Sequence, residues 1–211
     1  MRNQDRLNER TRETQERLIR AGLSLFSKQG LEGVRTRQLA EAAGVNQSAI
    51  PYHFGGKEGV YLAVLEHVAN SIVERLALPR RPPAKQLPTV TLKMLMQDFV
   101  TALLGTETSA ASSLLLAREQ LQPSADFDTL HARLFLPLHQ AVSELVAAIR
   151  GTQPELRENI LRAHAILGQA LAFAVAREAL LRRLGDNALS PQEIAQIAAL
   201  VGAMSTAAAQ G

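Results

Sequence analysis

Thr36, Gln47 and Ser48 carry the chemistry that stands out first in this chain. A hydroxyl beside the free N–H groups of a helix start suits an anion such as a phosphate. A glutamine amide pairs bidentately with an adenine edge, and a serine hydroxyl bonds to any base. Elsewhere the reactive side chains do not assemble into a set. His131 and His139 stand eight apart with Phe135 between them, on roughly one helical face without a carboxylate. That is a poor metal set, and packing in a core or pocket explains it better. His164 falls on an apolar helix face, as a core or interface histidine does. Arg118 and Glu119 precede a helix end, where they either pair within the chain or, for Arg118, recognise a ligand. The chain has no P-loop, no G-x-G-x-x-G, no H-E-x-x-H and no G-x-S-x-G. Neither an enzyme, nor a metal site, nor a cofactor is expected.

Two short helical patterns position the first three residues. Leu39, Ala40 and Ala43 form a small apolar face, with Thr36 placed to cap that helix. Gly44 takes the positive φ needed to leave it, and Asn46 is placed to cap a second helix carrying Gln47, Ser48, Ala49 and Ile50. A two-helix corner of this kind inserts its second helix into a major groove. Such short helices bury too little surface alone. The support is a helix from about Thr11 to Gln29, whose Leu18, Ala21, Gly22, Leu25 and Phe26 share one face, with Gly30 ending it. Before it, residues 1–10 with Arg2, Arg6 and Arg10 read as a flexible basic arm, either a frayed terminus or a strap along a nucleic-acid backbone.

Past Lys57 one stripe of Tyr61, Val64, Leu65, Val68, Ile72 and Leu76 predicts a long helix to about Ala77. LPRRPPAKQLP at 78–88 breaks it and reads as a linker. The remainder predicts helices over 90–104, 108–121, 126–149 with a kink at Pro137, 154–184, and one capped by Ser190 with Pro191 and Glu193 behind it. The fold class is all-α, with residues 11–57 as one domain and 58–211 as a second.

Charge follows the same division. The whole chain carries +3, while residues 1–57 hold ten basic and six acidic residues, and residues 58–211 thirteen and fourteen. The excess of +4 sits where phosphate binding would need it. The absence of cysteine excludes a disulfide framework and suits a reducing cytoplasm. The N-terminus is charged rather than apolar, and no apolar run approaches the roughly 20 residues that span a bilayer. A cytoplasmic protein without a membrane partner is expected.

With these pieces in order, RLIRAGLSLFSKQG, TRQLAEAAGV and AIPYHFGGKE make residues 11–65 resemble the DNA-binding domain of the TetR family of transcriptional repressors. AREQLQPSADFDTLHARLFLPLH looks like the effector domain of the CecR-type subgroup. The resemblance implies a homodimer that binds a double-stranded operator through its helix-turn-helix and releases it when a small-molecule effector binds the C-terminal domain. It implies phosphate contacts from Thr36, with Arg37 beside it, and from Lys57. Tyr52 and His53 would lie along backbone and groove, with Gln47 and Ser48 reading bases. Met94, Phe99, Arg118, Phe135, His139, His164 and Phe173 are the candidates for the effector pocket, although core packing explains Met94 and Phe99 equally well. Phe54 is expected to plug the core. The alanine and glycine runs of the last two helices, among them Ala163, Gly168, Ala198 and Ala203, suit a dimer face.

Pro51 departs from the pattern. With Asn46 as cap it would fall inside the recognition helix and remove a hydrogen bond, which costs about 3 kcal/mol in a helix interior. Either the helix is short and kinks there, or it starts later. A helical ligand-binding or interaction adaptor with a vestigial DNA module is the alternative that Pro51 motivates.

Overall fold

The computed structural model describes residues 2–78 and 86–211, and of residues 2–7 and 107 the backbone alone. Residues 79–85 of the expected linker and the side chains of Arg2 and Arg6 lie outside that description. Every regular element among the described residues is helical. Two compact units form: Met1–Val68 with Leu114–Phe127, and Ala69–Ser113 with Asp128–Gly211.

The first unit holds α1 (Arg2–Gly33), α2 (Thr36–Ala43), α3 (Ala49–Phe54), the first turns of α4 (Lys57–Leu76) and the last turns of α6 (Glu107–Leu121). Its core gathers Leu18, Phe26, Leu39, Ile50, Tyr61 and Leu65, all buried. Phe26 and Tyr61 meet edge-on with centroids 5.0 Å apart. α1 runs back to Arg2, so residues 2–10, expected as an arm, continue the helix. Gly30 interrupts it at φ 72°, ψ 176°, an extended positive-φ conformation open essentially to glycine alone. Gly22 lets α4 come close, since a Cβ there would stand 2.9 Å from Val64 Cγ2.

The second unit is built around α5 (Pro88–Leu104), which buries Leu92, Leu95, Met96, Phe99, Val100 and Leu103. α8 (Leu136–Arg150), α9 (Arg157–Val175) and α11 (Pro191–Gln210) pack along it. Burial extends round most of α5, and of the two residues for which core packing was open, Phe99 is buried while Met94 is exposed. The kink expected at Pro137 takes the form of a π-helical turn, His131–Phe135, between α7 (Phe127–Leu130) and α8. The wider turn sits just ahead of the proline, which has no N–H to donate back into the run of helix before it, and so accommodates the proline within a continuous helical path. The single helix expected over 154–184 divides into α9 and α10 (Arg177–Leu184), bent by 59° at Ala176. Ser190 caps α11 as expected: its Oγ accepts from Glu193 N, and the Glu193 carboxylate accepts from Ser190 N at 2.7 Å. No single helix among the described residues is long and apolar enough to cross a membrane.

Candidate nucleic-acid interface

α2 closes with the backbone pattern that its sequence called for. Gly44 sits at φ 62°, ψ 38°, its N–H bonds to Glu41 O, and Val45 N–H reaches back to Ala40 O. These two bonds satisfy carbonyls that a helix end leaves free. Arg17 of α1 takes further carbonyls, donating from Nε to Ala43 O at 2.9 Å and from a terminal nitrogen to Gly44 O. One side chain of α1 thus clamps the turn that sets the angle between α2 and α3. Nothing in the local pattern around Arg17 marks it for this, because its partners lie 26 and 27 residues away.

The caps differ from expectation. Arg35, not Thr36, is the N-cap of α2, so Thr36 is its first helical residue and makes no side-chain cap. Asn46 Oδ1 accepts from Ser48 N at 3.0 Å and from Ser48 Oγ at 2.9 Å. It organises a preliminary turn in which Ala49 N bonds to Asn46 O, and α3 proper starts at Ala49. Pro51 is therefore the third residue of α3. At that position the N–H has no intrahelical partner to lose, and proline is tolerated in the first turn. The misfit comes from where the helix was started, and the reading of a vestigial DNA module loses its motive.

α3 leaves its last turn through Gly55 at φ 74°, and α4 begins at Lys57. The join is tight. A Cβ on Gly59 would stand 1.8 Å from Phe54 O, so only glycine lets the first turn of α4 lie against the end of α3. Lys57 Nζ donates to Leu31 O at 2.9 Å, tying α4 to the chain just after the Gly30 break and leaving two of its three donors. Phe54 is half-buried and plugs the core only in part. Ile50, buried completely, anchors α3 instead.

These elements enclose an open groove of about 690 Å³ whose walls include Thr36, Gln47, Ser48, Pro51, Lys57 and Glu58. Four of the seven residues proposed from sequence for nucleic-acid contact thus share one concavity. Two others are near in the chain, Tyr52 exposed and His53 half-buried. Tyr52 is 83% exposed and His53 meets it edge-on at 4.8 Å. Such exposure is unusual for a tyrosine within a packed module and suits one that lies against a partner. Arg37 is exposed and paired with Glu41 at 2.8 Å, which raises its pKa through the hydrogen bond and the charge of Glu41. The side chain is extended along α2 rather than free.

The residues proposed for effector contact do not gather in this way. Arg118 belongs to the first unit, donating to Lys28 O at 3.2 Å, while the other six belong to the second. Phe99 is buried, Met94 and His164 are exposed, and Phe135, His139 and Phe173 are half-buried. His139 and His164 stack with centroids 5.9 Å apart and planes at 30°. Stacked rings present no shared lone pair to an ion.

Residues 18–64 match the model of the bacterial regulatory proteins of the tetR family, and residues 88–211 match that of the C-terminal domain of the HTH-type transcriptional dual regulator CecR. The chain is 31% identical to CecR of Shigella flexneri over 191 residues, covering 86% of this chain and 84% of that one. The chain belongs to the TetR family, CecR type. It is a DNA-binding transcriptional regulator and not an enzyme. Among solved structures it is similar to a transcriptional regulator from Rhodococcus (TM-score 0.66, 20% identity, covering 93% of this chain and 98% of that one). It is also similar to AibR, solved with isovaleryl coenzyme A and operator DNA (TM-score 0.68, 16% identity, covering 90% and 97%). At these identities the likeness concerns the fold. Both reach across the two compact units.

Proposed function

We propose that this chain is a homodimeric, cytoplasmic repressor that reads a near-palindromic operator and leaves it when a small molecule binds. Residues 11–57, with the parts of α4 and α6 that fold with them, form the reading module, and the remainder of residues 58–211 forms the effector and dimerisation domain. The observation that carries the reading is the groove shared by Thr36, Gln47, Ser48 and Lys57. Two kinds of chemistry meet there. Thr36 and Lys57 face phosphates, while the amide of Gln47 and the hydroxyl of Ser48 face base edges.

The dimer is supported by an unpartnered apolar surface. Ile160, Leu161 and Val175 of α9 are exposed, as are Leu200 and Met204 of α11, which packs beside it. Of the small residues expected at this face, Ala163 and Ala198 are buried within the chain, while Gly168 and Ala203, with Ala165 and Ala199, are exposed and let helices of a second copy approach closely. Two copies related by a two-fold axis would present two α3 helices to half-sites about one helical turn apart, roughly 34 Å.

Release needs an effector with different affinity for the DNA-competent state and the other state. Selection of bound sequences from a random duplex pool tests the reading directly. A two-fold symmetric site, bound with an affinity that falls steeply as salt rises, is the expected result. Enrichment of no sequence would overturn it.

A further inference from the structure

The second unit contains a cavity of about 410 Å³ that none of the residues nominated for effector contact lines. It lies where three chain segments meet. Thr101, Leu104 and Thr106 come from the end of α5 and the turn after it, Arg177 from the start of α10, and Leu189 and Ile194 from the loop before α11 and its first turns. The 59° bend at Ala176 brings the start of α10 to this place. Leu189 is 8% exposed and closes one wall. The volume falls within the range of about 300–1,000 Å³ usual for small-molecule sites.

The lining chemistry is one-sided. Leu104, Leu189 and Ile194 make it apolar, and Arg177 is the single charged residue lining it among the described residues. Three arginines of this unit have carboxylate partners, Arg162 and Arg150 sharing Glu158 and Arg182 holding Glu178, whereas Arg157 and Arg183, which do not line this cavity, have none among the described residues. Among the described residues Arg177 has no such partner. The hydroxyls are committed elsewhere, Thr101 Oγ1 donating to Gln97 O and Thr106 Oγ1 bonding to Ser109 Oγ. What the walls lack is one compact negative charge attached to an apolar body.

We propose that this cavity binds a small monocarboxylate with an apolar tail, its carboxylate against the Arg177 guanidinium and its tail among Leu104, Leu189 and Ile194. A guanidinium presents a planar fork that matches a carboxylate in two parallel hydrogen bonds. The occupant would bridge α5, the central helix of the unit, to α10 and α11, and an effector needs to favour one arrangement of packed helices in this way. The inference deepens the ligand-responsive reading above and rests on it for its link to DNA.

Calorimetric titration of the full chain with straight-chain monocarboxylates from butanoate to decanoate, and with 1-octanol as the uncharged control, tests the site. One or more carboxylates of intermediate length are expected to bind, and the alcohol is not. Arg177→Gln should weaken binding about thirtyfold or more, the effect of removing one partner of a desolvated charge pair. Ala188→Leu, which narrows the same cavity, should weaken it while Arg177 is kept. No binding by any carboxylate of the series, or equal binding by the parent and both variants, would overturn the proposal. Operator affinity of the unliganded proteins is read separately. Its absence in the parent would strike the repressor reading while carboxylate binding still upheld the site, and intact operator binding without any carboxylate binding would strike the site alone.

Discussion

Tyr61 donates its phenolic proton to Glu119 Oε1 at 2.5 Å, linking α4 to α6 across 58 residues of sequence at a point where both residues are 1% exposed. The other carboxylate oxygen accepts from Ser124 N at 3.2 Å and from Ser124 Oγ at 3.0 Å. A buried carboxylate is thus used at both oxygens by neutral donors. Burial and the bond to Glu119 push the Tyr61 phenol well above its ordinary range, so it remains a donor. Next to Glu119, Arg118 reaches Lys28 O and covers the break at Gly30, where a Cβ would meet its Nη1 at 3.3 Å. These two neighbours hold the end of α6 within the first unit.

Tyr61→Phe tests the first of these links. It keeps the ring against Phe26 and removes one donor from a buried anion. Hydrogen bonds to charged groups contribute about 1.5–3 kcal/mol, and the variant should lose that much stability in urea unfolding. Glu119→Gln, which retains an acceptor, should lose less in the parent background. A loss below about 0.5 kcal/mol for Tyr61→Phe would contradict this account.

Gly59→Ala should damage both fold and DNA binding. The added methyl cannot occupy a point 1.8 Å from Phe54 O, so the first turn of α4 must move away from α3. Overpacking of this kind costs about 1–3 kcal/mol. Gly56, Lys57 and Glu58 in the groove wall move with that turn, so operator affinity should fall even where thermal melting shows the protein folded. Operator affinity equal to that of the parent would remove Gly59 from any part in shaping the groove.

How much of this was legible in the sequence depended on the range of the cause. Gly44 was readable because a left-handed residue between two short apolar patterns is a local requirement. The Ser190 box was readable for the same reason, its partners being three residues apart. Arg17 and Gly59 were not. The first acts on carbonyls 26 and 27 residues on, and the second matters only once the end of α3 has folded against it. Pro51 was misplaced by a local ambiguity: Asn46 does cap, but it caps a turn ahead of the helix. The bend at Ala176 carries no proline or glycine, and the exposure of Met94 beside buried Met96 depends on which side of α5 its neighbours leave open.

Pro51→Ala gives that reinterpretation a measurable form. An interior proline replaced by alanine would return about 3 kcal/mol. At the third position of α3 the replacement restores no hydrogen bond and frees the unfolded chain, so stability should fall by about 1 kcal/mol or less. A gain approaching the interior value in chemical denaturation would place Pro51 back within the helix.

Lys57→Ala and Gln47→Ala should separate by kind of defect. With Lys57 on a phosphate, as proposed, its loss should weaken all duplexes alike and reduce the salt slope by about one unit or less. Its bond to Leu31 O is lost as well, so thermal melting needs to accompany the titration. Gln47→Ala should relax preference at one base position, by about 1–3 kcal/mol where the pairing is bidentate. A salt slope unchanged by Lys57→Ala, or a base preference unchanged by Gln47→Ala, would remove the role in question.

His139 predicts an acid limb in the stability profile. Burial lowers its pKa from the ordinary 6.5, and the charge of His164 and then that of His131 lower it further. Its neighbours are the stacked His164 ring from α9 and Ser143 Oγ, 3.4 Å from Nδ1. Well above pH 6.5 the ring is uncharged in both states and contributes nothing. As pH falls through 6.5 the unfolded chain takes up a proton that the folded chain resists, so stability declines until pH passes the lower folded value. Glu158 and Glu193, held below the usual 4.5 by hydrogen bonds from Arg162 and Ser190, lose their contribution only in more acid solution. The Asp126 carboxyl, raised by burial and by Glu119 and Glu66, works in the opposite direction, since its protonation relieves a penalty. Melting temperature followed from pH 7.5 to 5 should therefore drop in the parent and drop less in His139→Gln. Parallel curves would assign the acid limb to another group.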